Sequence, residues 1–87
     1  MNWRQIAAQV PPAWTGDLDD HCTAKWAGLT LRAEWMKGKL WFWCVYDDAT
    51  GDQVITSDSP VYGERCYSGP AARLAAEKAA RIWLDLA

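Results

Sequence analysis

The side chains best suited to chemistry are few. His21 and Cys22 are adjacent, and a thiol beside an imidazole is the make-up of a nucleophile–base dyad. On a strand, neighbouring side chains point to opposite faces, so this pair is not expected to meet. Cys22, Cys44 and Cys66 make an odd number, with no C-x-x-C and one histidine in the chain. That spacing supports no zinc site, and the thiols read as buried and reduced. Asp17, Asp19 and Asp20 cluster once, and Asp47, Asp48 and Asp52 again, without the alternation a calcium loop requires. Glycine-rich phosphate loops, G-x-S-x-G and H-E-x-x-H are missing. The expectation is a non-enzyme with no catalytic residue, no metal, no cofactor and no small-molecule ligand.

What stands out instead is apolar. Leu40-Trp41-Phe42-Trp43-Cys44-Val45-Tyr46 is hydrophobic at odd and even positions alike, as in a strand covered on both faces. The strands before it show a period of two. A turn at Ala27-Gly28 pairs Trp26 with Leu29, Ala24 with Leu31 and Cys22 with Ala33 on an apolar face. Lys25 with Thr30, Thr23 with Arg32, and His21 with Glu34 then fall on a polar one. A second turn at Lys37-Gly38 would set Trp35 opposite Leu40, Ala33 opposite Phe42, Leu31 opposite Cys44 and Leu29 opposite Tyr46. A third, within 47–52, leads into Gln53–Ser57. A three-residue loop there keeps Tyr46, Val54 and Thr56 on the core face, and a four-residue loop reverses them.

Two helices flank this sheet. Trp3, Ile6, Ala7 and Val10 fit one helical face, with Asn2 as N-cap and Pro11-Pro12 as the stop. Residues 69–86 form an alanine-rich helix with Pro70 in its first turn. Its inward stripe is Ala72, Ala75, Ala76, Ala79, Ile82, Trp83 and Leu86. Arg73, Glu77, Lys78, Arg81 and Asp85 face out, with Glu77 and Arg81 spaced as an i, i+4 ion pair.

The expected fold class is α+β: an antiparallel meander of three or four strands with a C-terminal helix on one face and a short N-terminal helix. One domain is expected, divided into an N-terminal segment 1–20, a sheet 21–57, a loop 58–68 and a helix 69–86. Its 87 residues allow no second core. At 51% hydrophobic and a formal charge of −2, the chain is not disordered. No run is long enough to span a membrane, and the first residues lack the apolar core of a signal peptide, so the cytoplasm is the expected location.

In this register Trp41, Trp43 and Val45 fall on the face away from the C-terminal helix, beside Arg32 and Glu34. Either the segment carrying Trp3, Ile6, Val10 and Trp14 folds over them, or the five residues form a partner-binding surface for another protein or a second copy. Stacking of unpaired bases ranks third. The 25–39 segment carries four cations, but 40–64 carries five anions and none, so nucleic acid is disfavoured.

The order of short helix, strands and alanine-rich helix after Ser68-Gly69 resembles the double-stranded-RNA-binding domain. That family grips phosphates with lysines at the start of this helix, where this chain has Gly69, Pro70, Ala71 and Ala72. The resemblance therefore implies architecture and not RNA binding. Trp26-Ala27-Gly28-Leu29-Thr30, Trp41-Phe42-Trp43-x-Val45-Tyr46-Asp47, Thr50-Gly51 and the alanine–arginine pattern of 71–81 resemble small uncharacterised phage and prophage proteins. That likeness implies a mobile-element accessory protein and no specific biochemistry.

Overall fold

The computed structural model describes residues 2–86, with side chains through Asp85. The elements are α1 (Trp3–Ala7), β1 (Thr15–Asp17), β2 (His21–Trp26), β3 (Leu29–Lys37), β4 (Leu40–Asp47), β5 (Asp52–Thr56) and α2 (Gly69–Leu86). The strands form one antiparallel sheet in the order β1-β2-β3-β4-β5, with α2 across one face. The fold is α+β. The first strand lies in a stretch that reads as loop, because Thr15-Gly16-Asp17 is too short and too exposed to show a period.

Between β2 and β3 the register is the one expected, from Trp26 opposite Leu29 to His21 opposite Glu34. Ala27 and Gly28 both have positive φ, 54° and 78°. That is the two-residue turn whose twist suits a hairpin. Glycine is also needed at 28 for space, since a Cβ there would lie 2.6 Å from the Trp3 ring.

The β3–β4 register differs from expectation by one residue. The turn is Gly38-Lys39, with Lys37 opposite Leu40, and Met36 bulges so that Trp35 stands opposite Trp41. Gly38 has φ 55° at the first central position. Because side chains alternate, the slip exchanges the two faces of β4. Trp41, Trp43 and Val45 turn toward α2 and are buried, while Leu40, Phe42, Cys44 and Tyr46 lie on the opposite face.

The packing gives the reason. The inner face of α2 consists of Ala72, Ala75, Ala76, Ala79 and Ala80, all buried. Small residues leave room for two indoles beneath the helix. The Trp43 N–H, buried with its ring, donates to the Glu64 carbonyl at 2.8 Å. Of the stripe expected for α2, the four named alanines are inward, and Ala80 joins them. Ile82 and Trp83 are only half-buried, Leu84 packs on the core, and the Leu86 side chain lies outside the described residues. Trp35, expected in the core, is exposed and donates to Gly38 O at 2.8 Å.

The β4–β5 loop has four residues, with Asp47 opposite Asp52. Tyr46 is turned to the open face by the β3–β4 slip, and through the β4–β5 bulge Thr56 follows Cys44 there while Ile55 enters the core beside Val45. Val54 sits at a bulge, which twists this edge strand and blunts its pairing potential. Residues 58–68 are tied to β4 by a bridge in which Trp41 N–H donates to Cys66 O at 2.9 Å. Ser68 caps α2, its Oγ accepting from Ala71 N–H at 3.2 Å.

The N-terminal segment does not fold over the open sheet face. It runs along α2, on the same side of the sheet. Trp14 donates to Glu77 at 3.1 Å, and Trp26 donates to Val10 O at 2.6 Å. Arg81 lies over the Trp26 ring, 4.8 Å from its centroid. Glu77 and Arg81 thus serve two indoles on the neighbouring segments in place of the expected pair.

Candidate interaction surfaces

The five expected partner-binding residues do not share a surface. Trp41, Trp43 and Val45 are in the core, and Trp43 has no exposed area at all (0%). A partner cannot reach them in the folded chain. Arg32 and Glu34 are on the open face, where they pair with each other at 2.7 Å.

The open face is a largely paired polar surface around one apolar row, with the buried Arg32 Nε left without a hydrogen-bond partner. Lys25 donates to Thr30 and Thr30 to Asp48, both at 2.6 Å. Gln53 donates to the Tyr46 hydroxyl at 3.4 Å. Leu40, Phe42 and Tyr46 are half-buried among these groups. Antiparallel sheets commonly leave one such face to water.

The cysteines are placed for packing. Cys22, Cys44 and Cys66 are all free and buried. Burial pushes the Cys44 and Cys66 thiols above the ordinary range, with the Glu64 charge adding to the shift at Cys66. A raised thiol pKa removes the thiolate that a nucleophile or a metal ligand needs. His21 is exposed on the open face and Cys22 buried on the other, so the adjacent pair is divided between the two sides of the sheet. Among the described residues, no three His, Cys, Asp or Glu side chains converge as a metal site.

The least exposed ion pair among the described residues joins α1 to β4. Arg4 of α1 holds Asp47 at the end of β4, with contacts of 2.8 and 3.4 Å. The guanidinium hydrogen bond, followed by the Ala49 N–H, keeps the Asp47 carboxyl below the usual carboxylate range.

Besides Leu18 and the Trp35–Met36 end of β3, large hydrophobic side chains are exposed in two groups. The first is a shoulder between residues 62–68 and α2. A groove of about 520 Å³ opens there, with Cys66, Tyr67, Ala71 and Leu74 along it and Arg65 and Lys78 at its borders. Glu64 and Lys78 also line an adjoining hollow of about 150 Å³ that Tyr62 and Ile82 flank. Tyr67 is 62% exposed and Leu74 68%. Tyr62 has φ 66°, an uncommon conformation for an aromatic residue. Tyr62 and Tyr67 lie in an aperiodic loop, where the sequence carries no signal for them. Leu74 did carry a signal: it is the one large aliphatic residue out of phase with the alanine stripe.

The second place is α1, which contributes no buried residue, together with the turn that follows it. Trp3, Ile6 and Val10, spaced i, i+3, i+7, are 63%, 56% and 66% exposed. Expected to turn inward, they are mostly exposed, with the tip of the Trp3 ring resting against Gly28.

Comparison of the chain with family models, with curated proteins and with solved structures found no match in any of the three. No helix among the described residues is long and apolar enough to cross a membrane.

Proposed function

We propose that this chain is a small non-enzymatic protein-interaction module, an accessory protein of the phage type its sequence resembles, working in the cytoplasm. Its contact surface in this reading is the shoulder formed by residues 62–68 and α2, in place of the sheet face. The observation that carries the proposal is the exposure of Tyr67 and Leu74 along one open groove, with exposed Tyr62 at the hollow that adjoins it. Tyrosines and an aliphatic side chain around a concavity, rimmed by Arg65 and Lys78, have the composition of a contact core with a polar border. A cytoplasmic setting suits three unpaired, buried thiols.

The nucleic-acid reading has less to support it. Arg32 is engaged by Glu34, and Lys25 by Thr30 and Asp48, so cations on the sheet face already have anionic or polar partners. A phosphate would compete with these for each of them.

The test is a photo-crosslinking residue placed at Tyr67, at Leu74, or at Thr23 on the open sheet face, in the expressing cell. The proposal expects polypeptide adducts from positions 67 and 74 and none from 23. Adducts to nucleic acid alone, or none from 67 and 74, would overturn it.

A further inference from the structure

We infer that residues 2–8 form a releasable strap: the segment swings away from the folded sheet and α2, and Asp47 passes from Arg4 of α1 to the indole N–H of Trp83. The inference concerns the C-terminal end of α2 and does not depend on the role of the shoulder.

The first argument is how α1 is held. A five-residue helix has little stability of its own. This one places no buried residue in the core, and Arg4, Ala7 and Ala8 on its inner side are half-buried. Its capping box joins Asn2 to Gln5, within the segment itself. It meets the rest of the chain through the Arg4–Asp47 pair, the tip of Trp3 against Gly28, and two small side chains, Ala7 and Ala8, at the edge of the core. The next fixed point is Val10, whose carbonyl accepts from Trp26 Nε1 at 2.6 Å. Residues 2–8 therefore leave as a unit, hinged just before Val10, and no core side chain moves. Segments with few buried apolar contacts open well below the free energy of global unfolding.

The second argument is an unpaired donor. Asp47 ends the Trp41, Trp43, Val45 series on the α2 side of β4, opposite Leu29. Arg4 reaches it from α1, and the Trp83 indole of α2 lies near enough to bear on its charge. Yet the Trp83 N–H is buried without a hydrogen-bond partner. Arg4 is the reason. Its two terminal nitrogens donate to the two carboxylate oxygens, at 2.8 and 3.4 Å, and Ala49 N–H donates to Oδ1 at 3.0 Å. A guanidinium fork fixes the plane of the carboxylate it holds.

The third argument is balance. A buried donor left unpaired weakens the state that contains it by about one to two orders of magnitude in population. When α1 leaves, the Asp47 carboxylate is free to turn and accept from Trp83. The new charge-assisted hydrogen bond offsets part of the ion pair that is lost. Closed and open states are thus closer in free energy than the Arg4–Asp47 pair alone would leave them, as a two-state element requires. Opening lifts the Trp3 ring from Gly28 and widens the hollow of about 320 Å³ that Gln5 and Ala8 share with Trp26 and Leu84. The strap thereby controls access to that hollow.

The experiment is nuclear magnetic resonance of the isotope-labelled full chain and three variants. Arg4→Gln removes the fork and alters no core residue. It is expected to separate Trp3 from Gly28 and to move the Trp83 indole N–H resonance downfield, the sign of a new hydrogen bond. The β3 amides stay as protected from exchange as in the wild type. Trp83→Phe removes the unpaired donor from the closed state and the new bond from the open one. Exchange of the Ile6 and Ala8 amides then slows at least about fivefold. Asp47→Ala releases α1 but removes the acceptor, so the Trp83 resonance does not move downfield. The inference is overturned if Arg4→Gln leaves Trp3 against Gly28, or frees Trp3 without the shift at Trp83. It is overturned equally if Asp47→Ala gives that shift, or if Trp83→Phe leaves Ile6 and Ala8 exchange unchanged or faster. Loss of β3 protection together with α1 in Arg4→Gln also overturns it, since the strap would then not open on its own.

Discussion

Trp35 stands directly opposite Trp41 across the β3–β4 ladder, and this pairing sets the facing of all of β4. It places Trp43 and Val45 beneath α2 and gives Phe42 and Tyr46 to the open side.

Trp43→Ala tests that register. The indole is fully buried and its N–H satisfies the Glu64 carbonyl. Truncation is expected to cost about 3–5 kcal/mol, a large share of the stability of a domain this small. Phe42→Ala, on the half-buried face, is expected to cost less than half as much. Urea denaturation of the two variants measures the difference, and equal losses would contradict the facing described here.

Gly28→Ala probes the turn that holds α1. A side chain at φ 78° costs about 1–2 kcal/mol. The added Cβ also meets the Trp3 ring. Thermal unfolding should show the loss of stability, and Trp3 fluorescence should report displacement of α1. Ala at Gly38, where nothing lies within 4 Å, meets no neighbour and leaves Trp3 where it is.

The Arg4–Asp47 pair makes part of the stability depend on pH. The Asp47 carboxyl titrates below its unfolded value, which is about 3.9 for aspartate. Its contribution is therefore complete above that value and is lost as pH falls through the folded pKa. In Asp47→Asn this contribution is absent. Denaturation at a series of pH values should show wild type ahead of the variant at neutral pH, with the gap closing below about pH 4. A gap that widens on acidification would contradict the assignment.

The thiols should be slow to react. Cys44 and Cys66 are buried with raised pKa values, so alkylation at neutral pH is expected to wait on opening of the fold. The check is mass spectrometry of alkylated protein with and without denaturant. Rapid native labelling of Cys44 would show the open face to be looser than its packing indicates.

Much of the fold was legible because period and turn agreed. The β2–β3 register follows from the sorting of Ala24, Leu31, Cys22 and Ala33 from Lys25, Thr30, Thr23 and Arg32, which only one alignment achieves. The bounds of α2 follow from Ser68, Pro70 and the alanine run. The facing of β4 was not legible, because a strand apolar at every position has no preferred register. Its facing was decided by the Met36 bulge and by the volume that five alanines leave for two indoles, both tertiary effects. The surfaces were obscured for a related reason. Trp3, Ile6 and Val10 have the spacing of a core face, and periodicity reports that such a face exists without saying that it turns inward.

The most direct measurement is in-cell photo-crosslinking from Leu74 on the shoulder set against Thr23 on the open sheet face. Polypeptide adducts from 74 and none from 23 are the result expected for a contact surface at the shoulder. Adducts confined to 23, or none from 74, would contradict the account.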